Sequence, residues 1–182
     1  MSKKVVQKLL EWDVSSTLLN TPIDEAPKMR FAAATGVPLI QTSETTFTYD
    51  DAASQLELVC SEIHAEKLND LDDFLCQFIS SNSTDWFGRS VTYDQVEKMY
   101  VASLHGTRMP RHILNADTMK VFDAQMQLTD GLSTAGSGIF IIRLEGVRFE
   151  EKSCEAIWTV VQAKECEVVP PTHPATTEPM FL

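Results

Sequence analysis

The chain has 182 residues, 43% of them hydrophobic, with 26 acids against 15 bases and a formal net charge of −11. That length suits one domain with a sizeable core, and the acid excess argues against a strong nucleic-acid binder. No uninterrupted apolar run of about 18 residues occurs, and the start MSKKVVQKLLEWDV has no signal-peptide core, so an intracellular protein without membrane insertion is expected.

Residues 1–12 set Val5, Val6, Leu9, Leu10 and Trp12 among lysines, the composition of an amphipathic helix or arm that packs on the body or on a partner. Residues 13–30, with Pro22 and Pro27, read as an extended connector. Two short strands are predicted over 31–41 and 45–49, the first limited by Gly36 and Pro38. After the Asp50-Asp51 turn, residues 55–60 alternate, with Leu56, Leu58 and Cys60 on the buried side of a strand.

From 64 to 79 the period changes. Leu68, Leu71, Phe74, Leu75, Phe78 and Ile79 fall at helical steps, and Ser80-Ser81-Asn82-Ser83 predicts the stop. Thr92 and Gln95 have capping-box spacing and open a second helix with Val96, Met99 and Tyr100 on its apolar face. Trp86-Phe87-Gly88-Arg89 falls in the predicted loop between, where the aromatics either plug the core or form a stacking platform beside a cation. The stripes of segment 64–104 are too narrow for a core of their own, so it is expected as an insert lying on the strands.

Residues 106–111 (GTRMPR) read as a loop, and Met119-Lys120-Val121-Phe122 as a strand ending at Asp123. Residues 136–164 read as a β-hairpin. Its first arm holds Ile139, Phe140, Ile141, Ile142 and Leu144, the interval Glu150-Glu151-Lys152-Ser153 makes the turn, and the second arm begins at Ala156. The pattern suits strands of a small closed barrel, with Phe140 and Trp158 in the core and Phe149, beside Arg148 at a strand end, exposed. The tail 165–182 contains Pro170, Pro171, Pro174 and Pro179, which exclude helix and central strand, and ends in Met180-Phe181-Leu182, an apolar anchor for a protein partner.

Charge is uneven along the chain: residues 41–85 hold ten acids and only Lys67, whereas 86–164 hold nine of each sign. A basic groove can therefore form on the C-terminal half. Cys60, Cys76, Cys154 and Cys166 form no CxxC pair and read as reduced thiols, and the scattered histidines give no metal site. No carboxylate pair near a histidine, nucleophile elbow or phosphate loop occurs, so neither catalytic residues nor a cofactor is expected, and the chain is read as a non-enzyme.

The helix LNDLDDFLCQFI with Asn82-Ser83, then Trp86-Phe87-Gly88-Arg89, Val121-Phe122-Asp123, Gly136-Ser137, Lys152-Ser153-Cys154, Trp158 and Gln162, runs through residues 55–164 in an order that resembles one family. That family is the single-stranded-DNA-binding proteins of nucleocytoplasmic large DNA viruses, distantly similar to those of short-tailed phages. The resemblance implies an OB-like barrel with a helical insert; joined to the reading of the residues, this gives a mainly β, α+β fold with the barrel over 31–164, a two-helix insert at about 64–104, an N-terminal arm and connector over 1–30, and an extended tail. It implies weak, sequence-independent binding of single-stranded DNA in replication or genome handling, in the cytoplasm or nucleus of the host cell. Trp86, Phe87 and Phe149 are then the stacking candidates, and Arg89, Lys120, Arg143, Arg148 and Lys164 the phosphate contacts. The alternative is a virion component such as a minor capsid protein, whose arm and Met180, Phe181 and Leu182 contact viral structural proteins or a second copy.

Overall fold

The computed structural model describes residues 6–53, 55–109, 114–116 and 118–166. Among these, the strands in chain order are β1 (Val6–Lys8), β2 (Leu18–Leu19), β3 (Ile23–Ala26), β4 (Met29–Thr35), β5 (Leu39–Gln41), β6 (Thr45–Asp50) and β7 (Gln55–Val59), followed by the helices α1 (Glu62–Phe87) and α2 (Tyr93–Met99). Then come β8 (Tyr100–Val101), β9 (Arg108–Met109), β10 (Leu114–Asn115), β11 (Lys120–Phe122), β12 (Leu128–Thr129), β13 (Ala135–Phe149) and β14 (Cys154–Glu165). The architecture is mainly β with two helices, of the α+β class.

The hairpin expected over 136–164 is the spine. β13 and β14 pair antiparallel from Gly138↔Glu165 to Phe149↔Cys154. Their inward residues Phe140, Ile142, Leu144, Val147, Ala156, Trp158 and Val160 are buried, because alternation turns every second side chain of each run to one side. β6, β5 and β4 line the free edge of β13, and β8, β10 and β11 that of β14. β6 continues to β7, but among the described residues β7 meets β10 through the single pair Asn115↔Gln55. The described strands thus form no continuous ladder between β7 and β10, and the sheet is not closed into the expected barrel.

The N-terminal segment read as an amphipathic helix or arm is no α-helix. β1 pairs parallel with β5, a 3-10 turn follows at Leu9–Glu11, and Leu9 and Trp12 are buried. Trp12 meets Trp158 edge to face at 6.4 Å between centroids. The segment read as a connector contains β2 and β3, both paired with β4. The tail segment 167–182, with Met180, Phe181 and Leu182, lies outside the described residues, as do Pro110 and Arg111 of the GTRMPR segment.

Helix α1 starts at Ser61, whose side chain accepts the His64 N–H, and runs past the predicted serine stop to Gly88, which ends it at φ 68°. The serines are accommodated within the helix: Ser83 Oγ donates to the Ser80 carbonyl at 2.8 Å, and both hydroxyls bond the Val91 backbone. Ser83 Oγ accepts the Val91 N–H at 2.9 Å, and Ser80 Oγ donates to the Val91 carbonyl at 2.9 Å. Trp86 and Phe87 therefore belong to the last turn of α1 rather than to a loop. The capping box of α2 forms as the sequence predicts, with Thr92 and Gln95 bonding reciprocally. Asp72 of α1 ties down the chain after α2: it accepts the Tyr100 hydroxyl at 2.8 Å, the Ser103 N–H at 2.7 Å and the Ser103 hydroxyl at 2.6 Å.

Candidate nucleic-acid interface

Two irregularities in the central hairpin decide which way its charges point. The register steps from Ile141↔Gln162 to Ile142↔Val160, and from Leu144↔Trp158 to Gly146↔Ile157, leaving Val161 of β14 and Glu145 of β13 as extra residues. Each extra residue reverses the alternation beyond it. On β14 the even positions Cys154, Ala156, Trp158 and Val160 are buried, yet beyond Val161 it is Ala163 that is buried and Lys164 that points out. On β13 the even positions Phe140, Ile142 and Leu144 are buried, yet beyond Glu145 the buried ones are Val147 and Phe149, and Arg148 points out.

The outward side of the hairpin consequently gathers Arg143 and Arg148 with Lys164. Strand β11 adds to it. Lys120 pairs with Gln162, Val121 with Ala163 and Phe122 with Lys164, and because Val121 and Ala163 are buried, Lys120 and Phe122 share the outward face with Lys164. Lys120 is exposed, while Phe122 and Lys164 are half-buried. Phe31 of β4 stands opposite Arg148 at the other end. Gly146 makes room for it: a Cβ there would lie 2.1 Å from the Ala32 carbonyl oxygen and 2.7 Å from Phe31 Cζ. Between the two ends the face is half-buried aliphatic, with Ile139, Ile141 and Ile157.

The four cations of this face differ electrostatically. Arg143 Nε donates to Glu145 Oε1 at 2.9 Å, and Arg148 Nη1 lies 3.5 Å from Glu155 Oε1. Arg148 Nε is buried with no hydrogen-bond partner among the described residues. Neither Lys120 nor Lys164 forms an ion pair with a described residue.

The other sequence-selected residues are elsewhere. Phe149 is buried rather than exposed, because the reversed alternation sends it inward under the end of α1. There it packs on Phe87 at 5.4 Å and on Trp86 at 6.3 Å between centroids, both edge to face, with Trp86 in turn 5.9 Å from Phe78. Phe140 and Trp158 are wholly buried, as their apolar runs imply. Arg89 follows the end of α1 and lines a cleft of about 790 Å³ with Phe87, Val91, Val96, Met99 and Phe149. Lys28 and Glu151, and Arg30 and Asp24, form ion pairs among the residues that line it. So the aromatics Trp86, Phe87 and Phe149, with Arg89, are one group, and Lys120, Arg143, Arg148 and Lys164 are another, on the opposite side of the hairpin.

Sequence reasoning passed over Phe31 and Phe122. The signal for Phe122 was present in Lys120-Val121-Phe122, since a buried central valine sends both neighbours out together. Cys60, Cys76 and Cys154 are free and buried, and burial pushes their thiols up to about 11, about 12 and about 12 respectively. Among the described residues no cluster of His, Cys, Asp and Glu is placed to hold a metal ion, and no helix is long and apolar enough to cross a membrane.

These features define a mainly β domain with a cationic, aromatic-edged sheet face. The chain belongs to a family of unknown function, DUF5871, whose match covers residues 47–176, from within β6 through β14, and so includes Lys120, Phe122, Arg143, Arg148 and Lys164. No curated protein sequence matches it. A single-stranded DNA-binding protein from bacteriophage Enc34 is similar in structure over 88% of this chain and 96% of that one, with a TM-score of 0.40 and 7% identity, a likeness too slight to argue from.

Proposed function

We propose that the outward face of the β13–β14 hairpin binds single-stranded DNA, weakly and without sequence preference, and that the chain is a non-catalytic protein of replication or genome handling in a large DNA virus. The observation that carries the reading is Phe122, set beside Lys120 and Lys164 on the face that also holds Arg143 and Arg148. An aromatic ring among cations is the element that lets a sheet surface take any base by stacking while its charges follow the phosphates. The succession of neighbours β13, β6, β7, β10 and β14, left open at the β7–β10 step, is compatible with an OB-like strand order for such a face. Affinity is limited by the net charge of −11 and by the acids bonded to both arginines.

Fluorescence anisotropy with a labelled oligo(dT) at two salt concentrations tests this. Binding at low salt should fall steeply as salt rises, and Lys120→Ala with Lys164→Ala should flatten the slope by about 0.7 for each phosphate that is no longer neutralised. No binding at low salt would contradict it.

One observation favours a second reading, a virion component. Leu10, Leu18 and Ile23 near or within the N-terminal strands are 51%, 55% and 67% exposed, and among the described residues β3 pairs only with β4. Apolar side chains on an edge strand suit docking to a viral structural protein or a second copy. Light scattering across a concentration series detects the second copy, and a monomer at all concentrations excludes it.

A further inference from the structure

Resting on the proposed DNA-binding reading, we infer that Glu145 and Glu155 are built-in competitors for the phosphates of the bound strand, each holding one arginine of the face. Glu145 is the extra residue of the β13 irregularity, two positions along the same strand from Arg143, and its Oε1 accepts from both Nε and Nη2 of that arginine. Glu155 stands directly across the ladder from Arg148, with its Oε1 at 3.5 Å from Nη1. Both pairs are partly shielded, the four side chains being 18–34% exposed. Their attraction is therefore screened less than that of a surface pair.

A phosphate meeting this face displaces a carboxylate from each arginine and then lies beside the displaced anion. The acid thus opposes binding twice, by occupying the cation and by repelling the ligand. The second pair is the looser. Its N–O separation is 3.5 Å, and Arg148 Nε has no hydrogen-bond partner among the described residues, so that guanidinium is short of acceptors. Glutamine keeps the shape and a carbonyl acceptor for each arginine while removing the charge.

The test uses the full chain and labelled oligo(dT), with Glu145→Gln, Glu155→Gln and the double variant titrated at several salt concentrations. Glu66→Gln, an exposed acid on α1, changes the net charge equally and serves as the control. Each face variant should tighten binding about threefold to tenfold, the double variant more, and the slope of affinity against salt should steepen, because more phosphates are neutralised. The control should stay within about twofold of wild type. Wild-type binding that is salt-sensitive but unchanged or weakened in the Gln variants would overturn the competitor role alone, and weakening would make the acids positioning residues. Absence of binding by wild type and double variant alike would overturn the DNA-binding reading and the competitor role together.

Discussion

Phe122 and Lys164 stand directly opposite each other in the parallel ladder of β11 and β14, and their neighbours Val121 and Ala163 are buried. The pairing places the two side chains on one surface. Replacing Phe122 by Ala should cost about 1–3 kcal/mol of single-stranded DNA affinity and leave the salt slope unchanged, because the ring stacks but neutralises nothing. Phe122→Trp should retain binding. A slope that flattened with Phe122→Ala would show that the variant disturbs the lysines instead.

Gly146→Ala should destabilise the fold by about 1–3 kcal/mol or more, since the added methyl would meet the Ala32 carbonyl at 2.1 Å and the Phe31 ring at 2.7 Å. Urea unfolding measures the loss. A variant as stable as wild type would mean that β4 does not press on β13 as described.

Much of the hairpin was legible because two runs rich in β-branched and aromatic residues flank the polar interval Glu150-Glu151-Lys152-Ser153, and the capping box of α2 was legible because its partners are three residues apart. What alternation alone could not carry was its own reversal. Without the extra residues Glu145 and Val161, Phe149 would face out and Arg148 and Lys164 would face in, so an expectation of an exposed Phe149 follows from an unbroken period. The extension of α1 through Ser80 and Ser83 was hidden for another reason. The hydroxyls look like a stop until the backbone of Val91, eleven and eight residues on, is seen to accept from Ser80 and donate to Ser83. Of the cations singled out, Lys120, Arg143, Arg148 and Lys164 lie on one face and Arg89 lies apart in the cleft, whereas the aromatics Trp86, Phe87 and Phe149 join the packing at the end of α1.

That packing yields its own prediction. Phe149→Ala should cost about 3–5 kcal/mol of stability, by removing a buried ring that touches both Trp86 and Phe87. The folded fraction should bind oligo(dT) as wild type does. Lost binding with intact folding would place the interface in the cleft beside Arg89.

Asp72 should make stability depend on pH. Burial is the main cause raising its pKa above the ordinary 3.8, partly offset by the bonds from Ser103 and Tyr100. A carboxyl whose folded value is raised binds its proton more readily in the folded state. Its contribution is fully present below the unfolded value of about 3.8 and is lost as pH rises through the folded value. Relative to Asp72→Asn, which keeps an acceptor for the Ser103 N–H, the wild type should gain stability as pH falls from 7 to below 4. An unfolding free-energy difference that is flat across this range would contradict the assignment.

The most direct test of the whole account is amide chemical-shift mapping of the full chain titrated with a short oligo(dT) at low salt. The shifts should concentrate at Lys120, Phe122, Arg143, Arg148, Gln162 and Lys164, on the outward face. Shifts confined to Trp86, Phe87, Arg89 and Phe149 around the cleft, or none at all, would contradict it.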